Sequence, residues 1–404
     1  MVRPDGLLKE EPEVMEKVFS RAVSDVSKRL RMILPACVRS ALAGKAWSLS
    51  MSLARTRSPR IQTVQERLLK ESYSPATRRL IVFLTPGFDS VNGGILSISS
   101  IYRETRKLKY VHGAETIMCT VPGDPLLLKY TKFENQNHIY SLSRVLSYFS
   151  DIQYVMIHVP EYAVEQFLKN LTYSDYSRIR RIRSVRLNIM LQNIDALSPM
   201  KYVEGLKRLG HLTCTTAHDK YSTLELSREL GFPLHKLSVY VSPEQYHKRS
   251  YSEKENLMIV SPDADPRKSA ILDLIGKEFL QLKIQIIEDL TYEEYKKLIS
   301  RAKWALTFGE GLDNYFIETV FSGGVSCSAY NSRFFTEDFK SLRTVYDNYH
   351  VLIKKICSDI KDLDHEMAFT TYQKEQYDRC SAHYNYGEYV KNLELFYQGK
   401  FTYS

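Results

Sequence analysis

The feature that most constrains this chain is a rhythm that runs twice. Short apolar runs rich in β-branched residues alternate with helix-like stretches. The first set is "LIVFLT" (80–85), "TIMCTV" (116–121), "YVMIHV" (154–159), "RLNIMLQN" (186–193) and "HLTCTTA" (211–217). Stretches such as "GILSISSIYRETRKL" and "STLELSREL" stand between them, and "KLSVYVSP" adds a further strand. The rhythm restarts with "NLMIVSP" (256–262), "LKIQIIE" (282–288), "WALTFG" (304–309) and "GVSCSA" (324–329), separated by "PRKSAILDLIGKEFL" and "TYEEYKKLISRA". Short buried strands alternating with helices imply a parallel sheet covered on both faces. The polar segment "HKRSYSEKEN" (247–256) separates the two sets and reads as a linker. The expected fold class is therefore α/β: two doubly wound, Rossmann-like domains of similar size facing a cleft. Residues 1–75 read as a basic helical N-terminal extension, 76–247 as the first domain and 248–375 as the second. Residues 376–404 read as a helical tail that has the option of crossing back to the first domain.

A chain of 404 residues is long enough for two or three domains, and 44% hydrophobic with 25% charged residues is the balance of a soluble globular protein. The formal net charge is +9, which raises nucleic acid, an anionic membrane surface or a phosphorylated substrate as partners. Its placement narrows the choice. Between Val26 and Arg60 stand Lys28, Arg29, Arg31, Arg39, Lys45, Arg55, Arg57 and Arg60, with no acidic residue. The rest is close to neutral, so the excess belongs to an arm, and no nucleic-acid partner is expected. "RLRMILPACVRSALAGKAWSLSMSLARTR" interleaves apolar residues with cations, the pattern of a helix on anionic lipid or of an extension packed on protein. Six scattered cysteines without CxxC give no zinc spacing and no dense disulfide framework. No apolar run is long enough to span a bilayer. The expected location is the cytoplasm, with peripheral contact at the inner face of the membrane through 26–60.

In open α/β sheets ligands bind beyond the carboxyl ends of the strands. After the first strand comes "TPGFDSVNGGILSIS", where Gly93 and Gly94 stand at a helix start and let the backbone approach an anion. It is neither GxGxxG nor a P-loop, and a plain strand-to-helix turn also wants glycine. After "LMIVSP", Arg267 and Lys268 open the next helix and could neutralise a diphosphate, with Asp263 and Asp265 nearby. After "WALTFG" stands Glu310, and the following helix carries Glu318 with seven residues between them. A carboxylate can accept two sugar or ribose hydroxyls. His158 ends a strand, as a ligand contact or a structural histidine; His218 and Asp219 open a helix, where an N-cap role serves Asp219 equally well.

"EGLDNYFIETVFSGGVSCSAYN" resembles the nucleotide-sugar segment of retaining glycosyltransferases of family 4, which have the two-Rossmann GT-B fold. The resemblance spans about 80 to 335. It implies that the first domain takes the acceptor and the second the donor. It implies Glu318 on the donor ribose, Glu310 beside the transferred sugar, and Arg267 and Lys268 at the diphosphate. Gly93 and Gly94 would approach it from the first domain, and Gly311 and Leu312 would complete the donor side. His158 and Asn193 complete the implied catalytic set, Asn193 standing where the family often has a sugar-facing histidine. Three further departures are Ser261-Pro262 for the family's Gly-Arg, Asp313 for its second motif glycine and "VSPEQY" for its Asn-Gly before the linker.

The function so implied is metal-independent transfer of a hexosyl or deoxyhexosyl unit from a nucleotide-sugar to a glycan or lipid-linked glycan. The setting would be synthesis of a bacterial surface polysaccharide such as O-antigen, capsule or exopolysaccharide. No cofactor is expected beyond the nucleotide-sugar substrate. A nucleotide-sugar epimerase of the same fold, and a non-catalytic assembly subunit with a decayed donor site, are the alternatives.

Overall fold

The computed structural model of the protein describes residues 59–90, 93–132, 137–237 and 246–404. The basic extension up to residue 58, its expected membrane contact, and most of the strand expected at "KLSVYVSP" lie outside the described residues. Residues 60–404 form one compact unit that holds both sheets.

The first sheet has seven strands: β1 (Arg79–Thr85), β2 (Glu115–Thr120), β3 (Ile139–Ser141), β4 (Tyr154–Pro160), β5 (Ser184–Leu191), β6 (His211–Thr216) and β7 (Leu234–Lys236). Their spatial order is β3-β2-β1-β4-β5-β6-β7, and every pairing is parallel. The second has β8 (Glu255–Val260), β9 (Lys283–Ile286), β10 (Ala302–Thr307), β11 (Val325–Ala329) and β12 (Val345–Tyr346). Its order is β12-β11-β10-β8-β9, again all parallel.

The apolar runs form strands because both faces are covered. On β1, Leu80, Val82 and Leu84 enter one apolar cluster, while Ile81 and Phe83 enter another on the opposite face. On β8, Leu257 and Ile259 face one way and Met258 and Val260 the other. Such two-sided burial removes the polar alternation of a half-exposed strand. The cluster shared by Leu80 and Leu257 is continuous across both sheets.

After β12, helices Tyr349–Leu363 and Glu366–His383 pack on the second sheet. Helix Tyr386–Tyr397 then returns to the first domain. His235 bonds the Asn392 carbonyl at 2.6 Å, and Leu234 and Tyr403 form an antiparallel bridge. In each sheet the strand order reverses beside the first strand, between β1 and β4 and between β8 and β10. These switch points place the ligand-facing loops.

Candidate functional site

Glu310 follows β10 at its carboxyl end, after Gly309 at φ 68°. Gly311, at φ 80°, completes the turn; a Cβ there would stand 2.7 Å from the Ser328 hydroxyl. Only glycine meets both demands. Asp313 then caps helix Asn314–Phe321, its carboxylate accepting from the Phe316 N–H at 3.0 Å. The departure from the family glycine is thus an N-cap, which fixes where the Glu318 helix begins. Ser261, standing in place of the family's glycine, accepts from the Phe308 N–H at 3.0 Å and ties the end of β8 to the end of β10.

Glu310 meets the other domain. The Asn193 amide, just beyond β5, donates to the Glu310 carboxylate at 2.7 Å. The Asn193 backbone N–H in turn donates to Glu161 at 3.0 Å, immediately after β4. Burial pushes Glu310 up to about 7, with the nearby Asp263 adding to the effect and the Asn193 hydrogen bond opposing it. Burial likewise pushes Glu161 up to about 7. Among the described residues, one Glu161 oxygen, one Asp263 oxygen and Nδ1 of His218 are buried without a hydrogen-bond partner. His218 packs on Phe334 of the second domain, and burial drives its imidazole down to about 4. Three orphaned polar atoms at strand ends around one cross-domain hydrogen bond leave acceptor and donor capacity for a polyhydroxylated ligand.

Glu318 has a different setting. Its side chain is buried, and one carboxylate oxygen accepts from the hydroxyls of Tyr246 at 2.7 Å and Tyr292 at 3.2 Å. The two hydroxyls lie 3.1 Å apart. Burial pushes this carboxyl up to about 7 against those hydrogen bonds. The oxygen implied for a ribose is thus already bonded to tyrosine.

The remaining expected residues separate into distinct places. Gly93 opens helix Gly93–Lys107 and faces the second domain, its missing Cβ leaving room for Asn314 at 3.1 Å. The Gly94 carbonyl accepts from Gln192 at 3.4 Å. Lys268 donates to the carbonyls of Ser261 at 2.6 Å and Asp263 at 3.1 Å, holding the loop after β8. Arg267 forks onto Asp265 at 2.8 and 2.7 Å and lies over the Tyr349 ring. The Leu312 side chain is in the core, so only its backbone is left to face a ligand. Asp219 is engaged by Lys236 at 2.8 Å and by His383 at 3.0 Å, and His383 also reaches Asp338 of the second domain.

His158 is a correction. β4 runs on to Pro160, so the histidine lies inside the strand and not at its end. Its ring stacks on Phe83 at 4.2 Å and bonds Asn188 and Tyr397, each at 3.1 Å. Burial pushes it down to about 3, which keeps it neutral. It is a packing residue under the returning tail helix. Glu161, three residues on, takes the strand-end position, and the "HVPE" sequence carried that signal. Tyr246 and Tyr292 carried none, since their hydroxyls meet Glu318 only through the fold.

Among the described residues no cluster of His, Cys, Asp and Glu is arranged to hold a metal ion, and no helix is long and apolar enough to cross a membrane. The described cysteines are all unbridged.

No protein-family model matches the chain, and no curated protein matches it. Solved structures do share its architecture. Sucrose-phosphate synthase from Thermosynechococcus elongatus superposes with a TM-score of 0.52 at 11% identity, over 80% of this chain and 99% of that one. HepE of Anabaena, in complex with UDP and glucose, superposes with a TM-score of 0.50 at 9% identity over the same shares. At such identities the likeness is one of fold, and the fold is GT-B: two Rossmann-like α/β domains facing a cleft.

Proposed function

We propose that the chain is a glycosyltransferase that moves a sugar from a nucleotide-sugar to a glycan acceptor, with retention of configuration. The observation that carries this reading is the Asn193–Glu310 hydrogen bond, which joins the carboxyl ends of β5 and β10 from opposite domains. Around it stand buried polar atoms without partners, as a site for sugar hydroxyls requires. Two solved structures of this fold, a sucrose-phosphate synthase and a complex with UDP and glucose, support a nucleotide-sugar as the donor.

In this reading the main catalytic task is to stabilise the negative charge growing on the departing diphosphate. Lys268 and Arg267, beyond β8, are the cations nearest that role. Lys268 would exchange its carbonyl partners for phosphate oxygens, and Arg267 would share its fork between Asp265 and the ligand. Glu310, held by Asn193, would orient the transferred sugar. The acceptor hydroxyl would attack from the face the diphosphate leaves, giving up its proton to a phosphate oxygen. No metal and no resident cofactor take part. Synthesis of a bacterial surface polysaccharide at the cytoplasmic face of the membrane is the setting we assign. The test is a thermal-shift panel of nucleoside diphosphates and nucleotide-sugars, followed by turnover of the stabilising donor. Glu310→Ala should abolish transfer in a folded protein; full activity would remove Glu310 from the site.

One observation favours a second reading. The Tyr246 and Tyr292 hydroxyls occupy the Glu318 oxygen, as they would in a non-catalytic assembly subunit whose donor site has closed. Stabilisation by none of the UDP, GDP, dTDP and ADP series would select it.

A further inference from the structure

The amino ends of the first sheet carry a basic face that the cleft does not use. Residues 178–186 read "RIRRIRSVR", and no acidic residue stands between Asp175 and Asp195. Helix Tyr173–Arg181 ends in this run, so its last turn presents Arg178, Arg180 and Arg181. With Arg183 these side chains are exposed, and none of the four has a carboxylate at ion-pair distance among the described residues. Arg178 donates to the Leu146 carbonyl at 3.1 Å and Arg180 to the Arg208 carbonyl at 2.8 Å. The nearest acids do not cancel the charge. Asp175 is buried against Ser143 and Thr172, and exposed Asp151 makes no ion pair with the four arginines among the described residues.

A cavity of about 540 Å³ opens between this helix and helix Leu142–Tyr148. Its walls include Phe149, Ile152 and Ile182; Arg178, Arg181 and Tyr173 stand with them. Tyr173 is 87% exposed and Tyr176 43%. Guanidinium forks match phosphate oxygens bidentately. Exposed tyrosines sit well at a bilayer's headgroup level. A cavity of about 540 Å³ has room for one phosphate-bearing headgroup.

We propose that this amino-end face docks on an anionic lipid surface, with the cavity between helices Leu142–Tyr148 and Tyr173–Arg181 taking one phosphate-bearing headgroup. The face lies a strand length, about 25 Å for eight residues, from the carboxyl-end loops of the same sheet. It is independent of the chemistry assigned to the cleft.

Hydrogen exchange on the full chain tests this region by region, apart from any binding by the basic N-terminal residues. Vesicles of phosphatidylcholine with one-third phosphatidylglycerol should slow exchange across 171–186, and phosphatidylcholine alone should not. Arg181→Glu with Arg183→Glu, two exposed side chains without an ion-pair partner among the described residues, should abolish that protection and weaken vesicle binding by about tenfold. Arg178→Glu should do the same, if its lost bond to Leu146 leaves the melting temperature intact. Unchanged protection in the Arg181→Glu, Arg183→Glu variant would overturn the proposal. So would protection by glycerol 3-phosphate equal to that by vesicles, which would make the site one for small phosphates. Protection by an RNA duplex but not by vesicles would overturn it as well.

Discussion

Glu310 and Glu318 belong to one motif, eight positions apart, yet they occupy opposite environments. Glu310 sits in a turn at a strand end and is held by a single amide from the facing domain. Glu318 lies inside a helix and is enclosed by the hydroxyls of Tyr246, at the end of the first domain, and of Tyr292, in its own. Burial raises both carboxyls to about 7. In the proposed reading one acts on what enters the cleft, and the other holds part of the fold. Sequence spacing says where carboxylates stand; their partners decide what each can do.

The largest expected effect tests that contrast directly. Glu318→Ala strands two tyrosine hydroxyls and leaves a cavity, and should cost about 3 kcal/mol of stability. Glu310→Ala removes a group with one side-chain partner and should leave stability within about 1 kcal/mol while transfer is lost. Chemical denaturation of the two variants side by side checks this. Equal stability would erase the distinction between an acting and a holding carboxylate.

Next in size are the tyrosines. Tyr246→Phe should cost about 1 to 2 kcal/mol, since its hydroxyl makes the shorter bond to Glu318. Tyr292→Phe should cost less. The double variant should cost less than the sum, because the two hydroxyls share one oxygen and lie within bonding distance of each other. If the Glu318 oxygen is needed for a ribose, the double variant should also bind nucleoside diphosphate more tightly by calorimetry. Unchanged affinity would mean the donor never reaches that oxygen.

A third test uses pH. Because Glu310 rises from 4.5 to about 7, the folded chain keeps a proton that the unfolded chain has released. Its contribution is full below the lower value and is lost as pH rises through the upper one. His158 and His218, pushed down to about 3 and 4, act in the opposite direction below their ordinary value of 6.5. The comparison is therefore cleanest as a difference. The melting temperature of Glu310→Gln relative to the natural chain should rise by roughly 2–4 °C between about pH 5 and pH 8. A flat difference would mean that Glu310 ionises like an exposed carboxylate.

Much of this fold was legible because continuous apolar strands leave a strong trace. β1, β4 and β5 are buried on both faces, and their runs stand out from the helices around them. The trace fails at the edges. β3 has three residues and β12 two, too few to show a period. At the site, Glu310 and Asn193 could be placed by the strand-end rule and the family resemblance, and the fold brings them to 2.7 Å. His158 misled because two residues of β4 follow it and its ring packs under the returning tail helix. The Glu318 cage was invisible for a different reason. Tyr246 lies 72 positions away and Tyr292 lies 26 away, and nothing local distinguishes them among 28 tyrosines.

The smallest expected effect concerns Arg267, and it extends the comparison from carboxylates to cations. Lys268 is a holding residue like Glu318: its ammonium satisfies two carbonyls in the loop after β8, and burial lowers its affinity for the proton. Arg267 is exposed, and its fork onto the shielded Asp265 carboxylate joins residues two apart. Ion pairs with an exposed partner contribute about 0 to 1 kcal/mol, so Arg267→Ala should stay within that range by denaturation. Its effect on ligand should be larger than its effect on the fold. If Arg267 turns from Asp265 to a diphosphate, the alanine variant should bind the stabilising nucleoside diphosphate several-fold more weakly, and less so as salt is raised. Equal affinity at low salt would leave Lys268 as the sole cation of the pair serving the diphosphate.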